Sequence, residues 1–140
     1  MKHSTALTGE VVVTEMLPHR PPFLLVDRVL VVEAGARAVS LKCVTSGDSV
    51  VIDLGSLPSI LLAEVMAQTA GIAAAKQGTP TRGMVTRIDR FRCRGDVPAG
   101  RCLLTAAQVV RRFGPDVMVR AVVHADGQRW AAAEIVLHLG

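Results

Sequence analysis

A chain of 140 residues, half of them hydrophobic, suffices for one domain with its own core. At this size about 68–70% of the unfolded chain's surface is buried without help from disulfides or metal. One Trp, three Phe and no Tyr argue against modules that stack bases on aromatic side chains, so nucleic acid is not an expected partner. The net charge of +4 is local: residues 82–101 hold six arginines (Arg82, Arg87, Arg90, Arg92, Arg94, Arg101) against Asp89 and Asp96, while the rest balances at ten basic and ten acidic residues. Such a stripe either steers an acidic partner or phosphate toward a site or is a solvated strand face.

In chain order, Met1 to Thr8 is polar and carries no hydrophobic leader core. Val11 to Met16 reads as a short helix or extended arm, stopped by Pro18 and the Pro21-Pro22 pair. Phe23–Val32 and Ala36–Val44 are β-branched runs joined across Glu33-Ala34-Gly35, which predicts a hairpin. One long apolar helix follows from about Ser59 to Gln77, with Pro58 in its first turn and Gly78 and Pro80 to end it. Leu61, Leu62, Val65, Met66, Ala67, Ala70, Ile72, Ala73 and Ala74 cover nearly every face of that helix, so the rest of the fold must enclose it. The stretch Leu57–Ala75 is apolar enough to suggest a membrane span, but Glu64 and Gln68 near its middle favour a buried helix, and no membrane span is expected. Four strand-like runs complete the chain: Met84–Arg94, Cys102–Arg112, Val117–His124 and Trp130–His138. Turns at Pro98-Ala99-Gly100, Gly114-Pro115-Asp116 and Asp126-Gly127 separate them. Two strands, a buried helix and an antiparallel meander make an α+β pattern in one domain spanning residues 1–140. Cys43, Cys93 and Cys102 form no CxxC and read as buried, reduced thiols. No metal-ligand spacing is present, and a soluble, cytoplasmic protein is expected.

Three blocks carry more than periodicity does. The first is Leu17-Pro18-His19-Arg20-Pro21-Pro22-Phe23-Leu24-Leu25-Val26-Asp27-Arg28-Val29. The second is Pro58-Ser59-Ile60-Leu61-Leu62-Ala63-Glu64-Val65-Met66-Ala67-Gln68-Thr69-Ala70-Gly71. The third is Phe91-Arg92-Cys93-Arg94 followed by Pro98-Ala99-Gly100. Together, over residues 14–138, they resemble the 3-hydroxyacyl-[acyl-carrier-protein] dehydratases, whose central-helix motif is Pro-Gly-Val-Leu-x-x-Glu-Ala-Met-Ala-Gln. The resemblance implies the hotdog fold, an antiparallel sheet wrapped around one long central helix. It also implies a dimer joined sheet edge to sheet edge, with an acyl tunnel at the interface. A phosphopantetheine arm reaches that tunnel with the substrate, so the protein itself needs no cofactor. Each site takes a histidine from one subunit and the central-helix acid from the other. Here Glu64 matches the acid.

The histidine is missing. The family carries it in Gly-His-Phe-Pro, fourteen positions before the acid, and that position here is Val50. The run from Asp48 to Leu57 holds no histidine, and the interval from Val44 to Glu64 is shorter than in the family. Such an acid-rich loop before Leu-Pro and Glu-x-Met-Ala-Gln most resembles the dehydratase-like proteins of aryl-polyene clusters.

Dehydration of a 3-hydroxyacyl thioester needs a base for the α-proton and an acid for the departing hydroxyl, on opposite sides of one short segment. A helix carboxyl in an apolar surround holds its proton more readily, which suits Glu64 to the acid role; a structural buried acid is the plainer alternative. Gln68, one turn on, can hold that carboxyl or a water. Losing the base costs about 10²–10⁴ in rate unless something replaces it. His19, Asp48 and Asp53 are the candidates, although a histidine at position 19 accompanies the catalytic one in the family and its ordinary role is packing. His3 falls in the polar tail, and His124 and His138 fall on terminal strands. Val50, Val51, Leu61, Met66 and Ala67 are the expected acyl contacts, and Arg90, Arg92, Arg94 and Arg101 the expected contacts for an acidic carrier protein. Three functions remain open: a dehydratase with a modified site acting on acyl-carrier-protein or acyl-CoA substrates, a non-catalytic acyl-binding partner of an active dehydratase, and a thioesterase using the lone helix acid. A homodimer, or a larger or mixed oligomer with a paralogue, fits all three.

Overall fold

The computed structural model describes residues 6–11, 13–19, 23–48, 51–76 and 83–140. Among these residues seven strands form one antiparallel sheet in the order β1-β2-β3-β7-β8-β9-β5. They are β1 (Ala6–Val11), β2 (Arg28–Glu33), β3 (Arg37–Cys43), β5 (Gly83–Cys93), β7 (Cys102–Phe113), β8 (Asp116–Ala125) and β9 (Gln128–Leu139). A one-turn helix α1 (Val13–Met16) follows β1. The long helix α2 (Ile60–Ala74) packs on one face of the sheet, against β3, β7, β8 and β9, and β4 (Ser56–Leu57) pairs with β6 (Val97–Pro98). This is the hotdog arrangement. No helix among the described residues is long and apolar enough to cross a membrane.

The core explains how so few aromatics suffice. Alternation along β7, β8 and β9 turns Leu103, Thr105, Ala107, Val117, Val119, Ala121, Val123, Ala131, Ala133, Ile135 and Leu137 inward. Ala107, Ala121 and Ala133 are register partners, a row of small side chains across three central strands. The helix brings its own small residues, Ala70, Ala73 and Ala74, fully buried. Small surfaces on both sides let helix and sheet approach closely, and Leu62, Met66, Ile72 and Val65 fill the remaining volume.

Charged side chains distant in the sequence bond the backbone at both ends of α2. Ser59 makes no side-chain cap; its own N–H donates to Asp96 Oδ1 at 2.7 Å, placing a carboxylate at the positive end of the helix. At the other end Arg112 Nη2 donates to the carbonyl of Ala74 at 2.9 Å and to that of Gly35 at 3.2 Å.

Several expected boundaries move. Helix α2 ends at Ala74, with Ala75 extended, whereas Gln77, Gly78 and Pro80 lie outside the described residues. The first hairpin strand starts at Arg28, not Phe23, because the backbone of Phe23 and Leu25 bonds a helix side chain instead of a neighbouring strand. The polar N-terminal segment supplies β1, paired antiparallel with β2, and the expected helix-or-arm divides between the end of β1 and α1. The cysteines are not buried: Cys43 is half-buried, and Cys93 and Cys102 are exposed. Their positions on the strands alternate to the outer face or lie on the sheet edge. The last hairpin turn is as the sequence indicates, with Asp126 and Gly127 both at positive φ, 51° and 76°, the two-residue geometry that Asp-Gly favours.

Strand β5 is an edge. Among the described residues it pairs only with β9, and ten of its eleven residues are exposed, including Met84, Val85, Ile88 and Phe91. Gly83 opens the strand because a Cβ there would stand 2.8 Å from Leu139 Cδ2 and 3.1 Å from the His138 carbonyl.

Candidate active site

The second turn of α2 presents Glu64 to a cleft of about 190 Å³. Its walls come from the segment after α1 (Pro18, His19), from α2 (Glu64, Ala67, Gln68) and from the edge strand (Gly83, Val85), with Leu137 of β9 nearby. Glu64 and His19 are the titratable residues among those lining it.

Gln68 organises the site. It is 1% exposed, and both ends of its amide are engaged. Nε2 donates to the Phe23 carbonyl at 2.8 Å and to Glu64 Oε1 at 3.0 Å, while Oε1 accepts the Leu25 N–H at 2.9 Å. A buried polar group must find such partners, and here they tie the Phe23–Leu25 segment to the helix and fix the Glu64 carboxyl. His19 Nε2 stands 3.4 Å from the same Glu64 oxygen. The surround of Glu64 is therefore more polar and open than the sequence suggests: its side chain is 43% exposed and meets an amide and an imidazole.

Elsewhere the expected site residues separate. Ala67 lines the cleft; Met66 and Val51 are buried in the main core, and Leu61 packs against it half-buried. Val50 lies outside the described residues. Asp48, a candidate base, accepts the Thr45 N–H at 2.9 Å and lies 3.3 Å from Lys42 Nζ. Burial acts to raise its pKa, but the Thr45 backbone bond and the Lys42 ammonium outweigh it and the carboxyl sits below its ordinary value. Lys42 points inward from β3, 4% exposed, and also reaches Asp27 at 3.6 Å. That network fastens the loop. Asp53 is exposed in the turn after Val51, and neither acid lines the cleft. His124 and His138 are exposed, His138 bonding Asp116 at 2.8 Å. Among the described residues no group of three or more His, Cys, Asp or Glu could hold a metal ion.

Arg90, Arg92 and Arg94 are exposed on or just past β5, Arg90 at φ 54° where the β5–β9 register slips. Arg92 and Arg94 flank a second cleft of about 360 Å³ together with Arg129 and Trp130, and Arg94 Nε donates to the Arg129 carbonyl at 2.9 Å. Arg101 is committed elsewhere, 2.6 Å from Asp126 and stacked 5.6 Å above the Trp130 ring. Arg129 escaped the sequence reading because it sits in a different strand from the arginine-rich segment. Gly83 and Val85 escaped it because nothing in an edge strand's pattern points toward a helix acid.

Comparison with known proteins speaks for the family and the fold. The family described as ApeP-like, ApeP dehydratase, matches residues 11–137. The 3-hydroxyacyl-[acyl-carrier-protein] dehydratase FabZ of Geobacillus sp. (strain WCH70) is 34% identical over 132 residues, covering 89% of this chain and 90% of the relative. FabZ of Bacillus cytotoxicus is 36% identical over 135 residues, covering 91% and 93%. Among solved structures, the dehydratase heterocomplex ApeI:P from Xenorhabdus doucetiae superposes with a TM-score of 0.78 at 19% identity, covering 93% of this chain and 91% of that one. At that identity the superposition speaks for the fold.

Proposed function

We propose that this chain, which belongs to the ApeP-like dehydratase family, works in the dehydration of 3-hydroxyacyl thioesters as the acid-bearing half of a site shared between two subunits. The observation that carries the reading is the Glu64 carboxyl held at the cleft by Gln68, with His19 on the same oxygen.

The elimination needs a base and an acid on opposite sides of the C2–C3 segment. His19 touches Glu64, so the two stand on one side and cannot flank a substrate between them. In this reading Glu64 protonates the departing 3-hydroxyl through Oε2, since both contacts fall on Oε1, and His19 resupplies the proton. The C–O bond breaks, water leaves, and the electrons of the lost C2–H bond form the double bond. The α-proton base comes from outside the chain: Asp48 is committed to Lys42 and Thr45, and Asp53 does not line the cleft.

Two features support a partner as the source. The cleft is walled by Gly83 and Val85 of β5, so it opens where the sheet edge is unpaired and apolar. The resemblance also implies a dimer joined sheet edge to sheet edge with its histidine from the other subunit, and a histidine-bearing paralogue docked on β5 would bring one to Glu64. The cationic cleft of Arg92, Arg94 and Arg129 suits the acidic carrier protein or phosphate that delivers the acyl group. ApeI:P of Xenorhabdus doucetiae is a dehydratase heterocomplex; for this chain such a pairing is part of the proposal.

The test is mass spectrometry of 3-hydroxyacyl carrier protein incubated with the chain alone, with a histidine-bearing hotdog paralogue from the same genome, and with both when Glu64→Gln replaces the wild type. Loss of water in the mixture alone, abolished by Glu64→Gln, supports the shared site. Dehydration by the chain alone, lost in His19→Ala, would make His19 the base. Activity of the mixture that ignores Glu64→Gln would reduce this chain to a supporting subunit.

A further inference from the structure

Cys43 and Cys102 are directly opposed in the β3–β7 ladder. On β3 the residues Ala38, Ser40 and Lys42 face the core, and on β7 Leu103, Thr105 and Ala107 do, so alternation sends both cysteines to the outer face of the sheet. The neighbouring rung is hydrogen bonded, with Val44 N–H donating to the Arg101 carbonyl at 2.8 Å. In an antiparallel pair the rungs alternate, so the cysteines occupy the non-hydrogen-bonded rung, where side chains stand closest. In keeping with this, the Cys43 N–H turns away from β7 and donates to Asp27 Oδ2 at 2.7 Å. Opposed Cα atoms on such a rung are about 4.5 Å apart, at the short end of the span a disulfide bridges.

We propose that Cys43 and Cys102 are a reversible redox site, joined into a cross-strand disulfide by an oxidant of the hydroperoxide class. Cys102 is exposed and is the sulfur an oxidant meets. The Cys43 thiol is pushed up to about 11, first by the neighbouring Cys102 thiol, then by burial and by Asp27, with Lys42 opposing. The Cys102 thiolate attacks hydrogen peroxide, the O–O bond breaks, and one oxygen leaves as water once protonated. Cys102 is then a sulfenic acid, directly opposite Cys43 in the ladder. Cys43 loses its proton and attacks that sulfur; the S–S bond forms, the S–O bond breaks, and a second water leaves. The two thiols have given up two electrons and two protons, and the peroxide has become two waters. A dithiol reverses the change by exchange. Oxidised, the pair fastens the last residue of β3, just before the 44–55 segment, to the first residue of β7. Cys93 is exposed on β5 opposite Ala131 and has no cysteine across the ladder, so it serves as an internal control.

The full chain treated with a few equivalents of hydrogen peroxide is expected to lose about 2 Da by intact mass. Its three free thiols fall to one, digestion gives a linked Cys43–Cys102 peptide, and dithiothreitol restores the original mass. Cys93→Ser should keep the 2 Da loss. Cys43→Ser should abolish it and gain about 16 or 32 Da at Cys102 instead, and the exposed Cys102→Ser provides the same check if Cys43→Ser folds poorly. A wild-type chain that only gains oxygen, or that links only between chains through Cys93, overturns the proposal.

Discussion

Gln68 and Glu64 sit one turn apart on α2 and share a 3.0 Å hydrogen bond, and the same Gln68 amide accepts the Leu25 N–H and donates to the Phe23 carbonyl. One buried side chain thus does two jobs: it orients the acid and replaces a missing strand partner for the Phe23–Leu25 segment. Gln68→Ala should cost about 1–3 kcal/mol, because it strands buried backbone groups as well as emptying a packed position. Thermal unfolding checks this, and turnover by the mixed complex should fall as well. Gln68→Glu keeps the acceptor for Leu25 but sets a second acid beside Glu64. A loss in turnover larger than its loss in stability separates orientation of the acid from simple packing.

The motif residues were legible and their connections were not. Glu64 and Gln68 stand four apart on a helix, and any i, i+4 reading brings them together. The partners of Gln68 lie more than forty residues upstream, and no local pattern encodes them. Asp96 at the start of α2 and Arg112 at its end are invisible for the same reason, since sequence signals for caps are sought next to the helix. Turn residues bounding strand-like runs gave β7, β8 and β9 to within two residues. Nothing local marks Lys42, an inward lysine that is tolerated because Asp27 and Asp48 meet it.

His19 offers a sharper test of the proton path. If it resupplies Glu64 while a partner provides the base, His19→Ala in the mixed complex should slow dehydration less than Glu64→Gln, whose expected loss is about 10²–10⁴-fold. The conservative variant distinguishes a relay from packing: His19→Gln should restore the stability lost in His19→Ala without restoring turnover, because an amide can hold Glu64 but cannot pass it a proton.

Asp48 sets a pH dependence of stability. Its carboxyl is depressed in the fold relative to the unfolded chain, burial opposing and the Thr45 N–H and Lys42 prevailing. The unfolded state therefore takes up the proton first as pH falls. The stabilisation is fully present above the ordinary carboxylate pKa of about 4 and disappears as the pH drops through the lower folded value. Urea midpoints measured from neutral pH downward should decline across that window, and Asp48→Asn should flatten the decline while lowering the midpoint at neutral pH.

The ends of α2 should show up in stability before they show up in chemistry. Asp96→Ala removes the acceptor for the Ser59 N–H and is expected to cost about 0.5–2 kcal/mol, the range for an N-cap. Arg112→Met removes a cation from the C-terminal carbonyls, worth about 0.3–2 kcal/mol depending on burial. The two sites lie at opposite ends of the helix and share no partner, so the double variant should be additive; thermal melts of the four proteins check it.

The unpaired edge makes the last prediction. Strand β5 exposes Ile88 at its centre and Phe91 toward its end, and its backbone on the side away from β9 has no strand beside it among the described residues. An apolar sheet edge is tolerated when another chain covers it, and a charge on it blocks pairing. Ile88 does not line the Glu64 cleft, so Ile88→Asp leaves the acid and its hydrogen bonds in place. Light scattering after size exclusion should then show the variant as a monomer, where the wild type forms a dimer with itself or with the paralogue. Dehydration by the mixture should fall with the fraction of complex and return at high partner concentration, which Glu64→Gln cannot do. A monomeric variant with full activity would mean that the base lies within this chain after all.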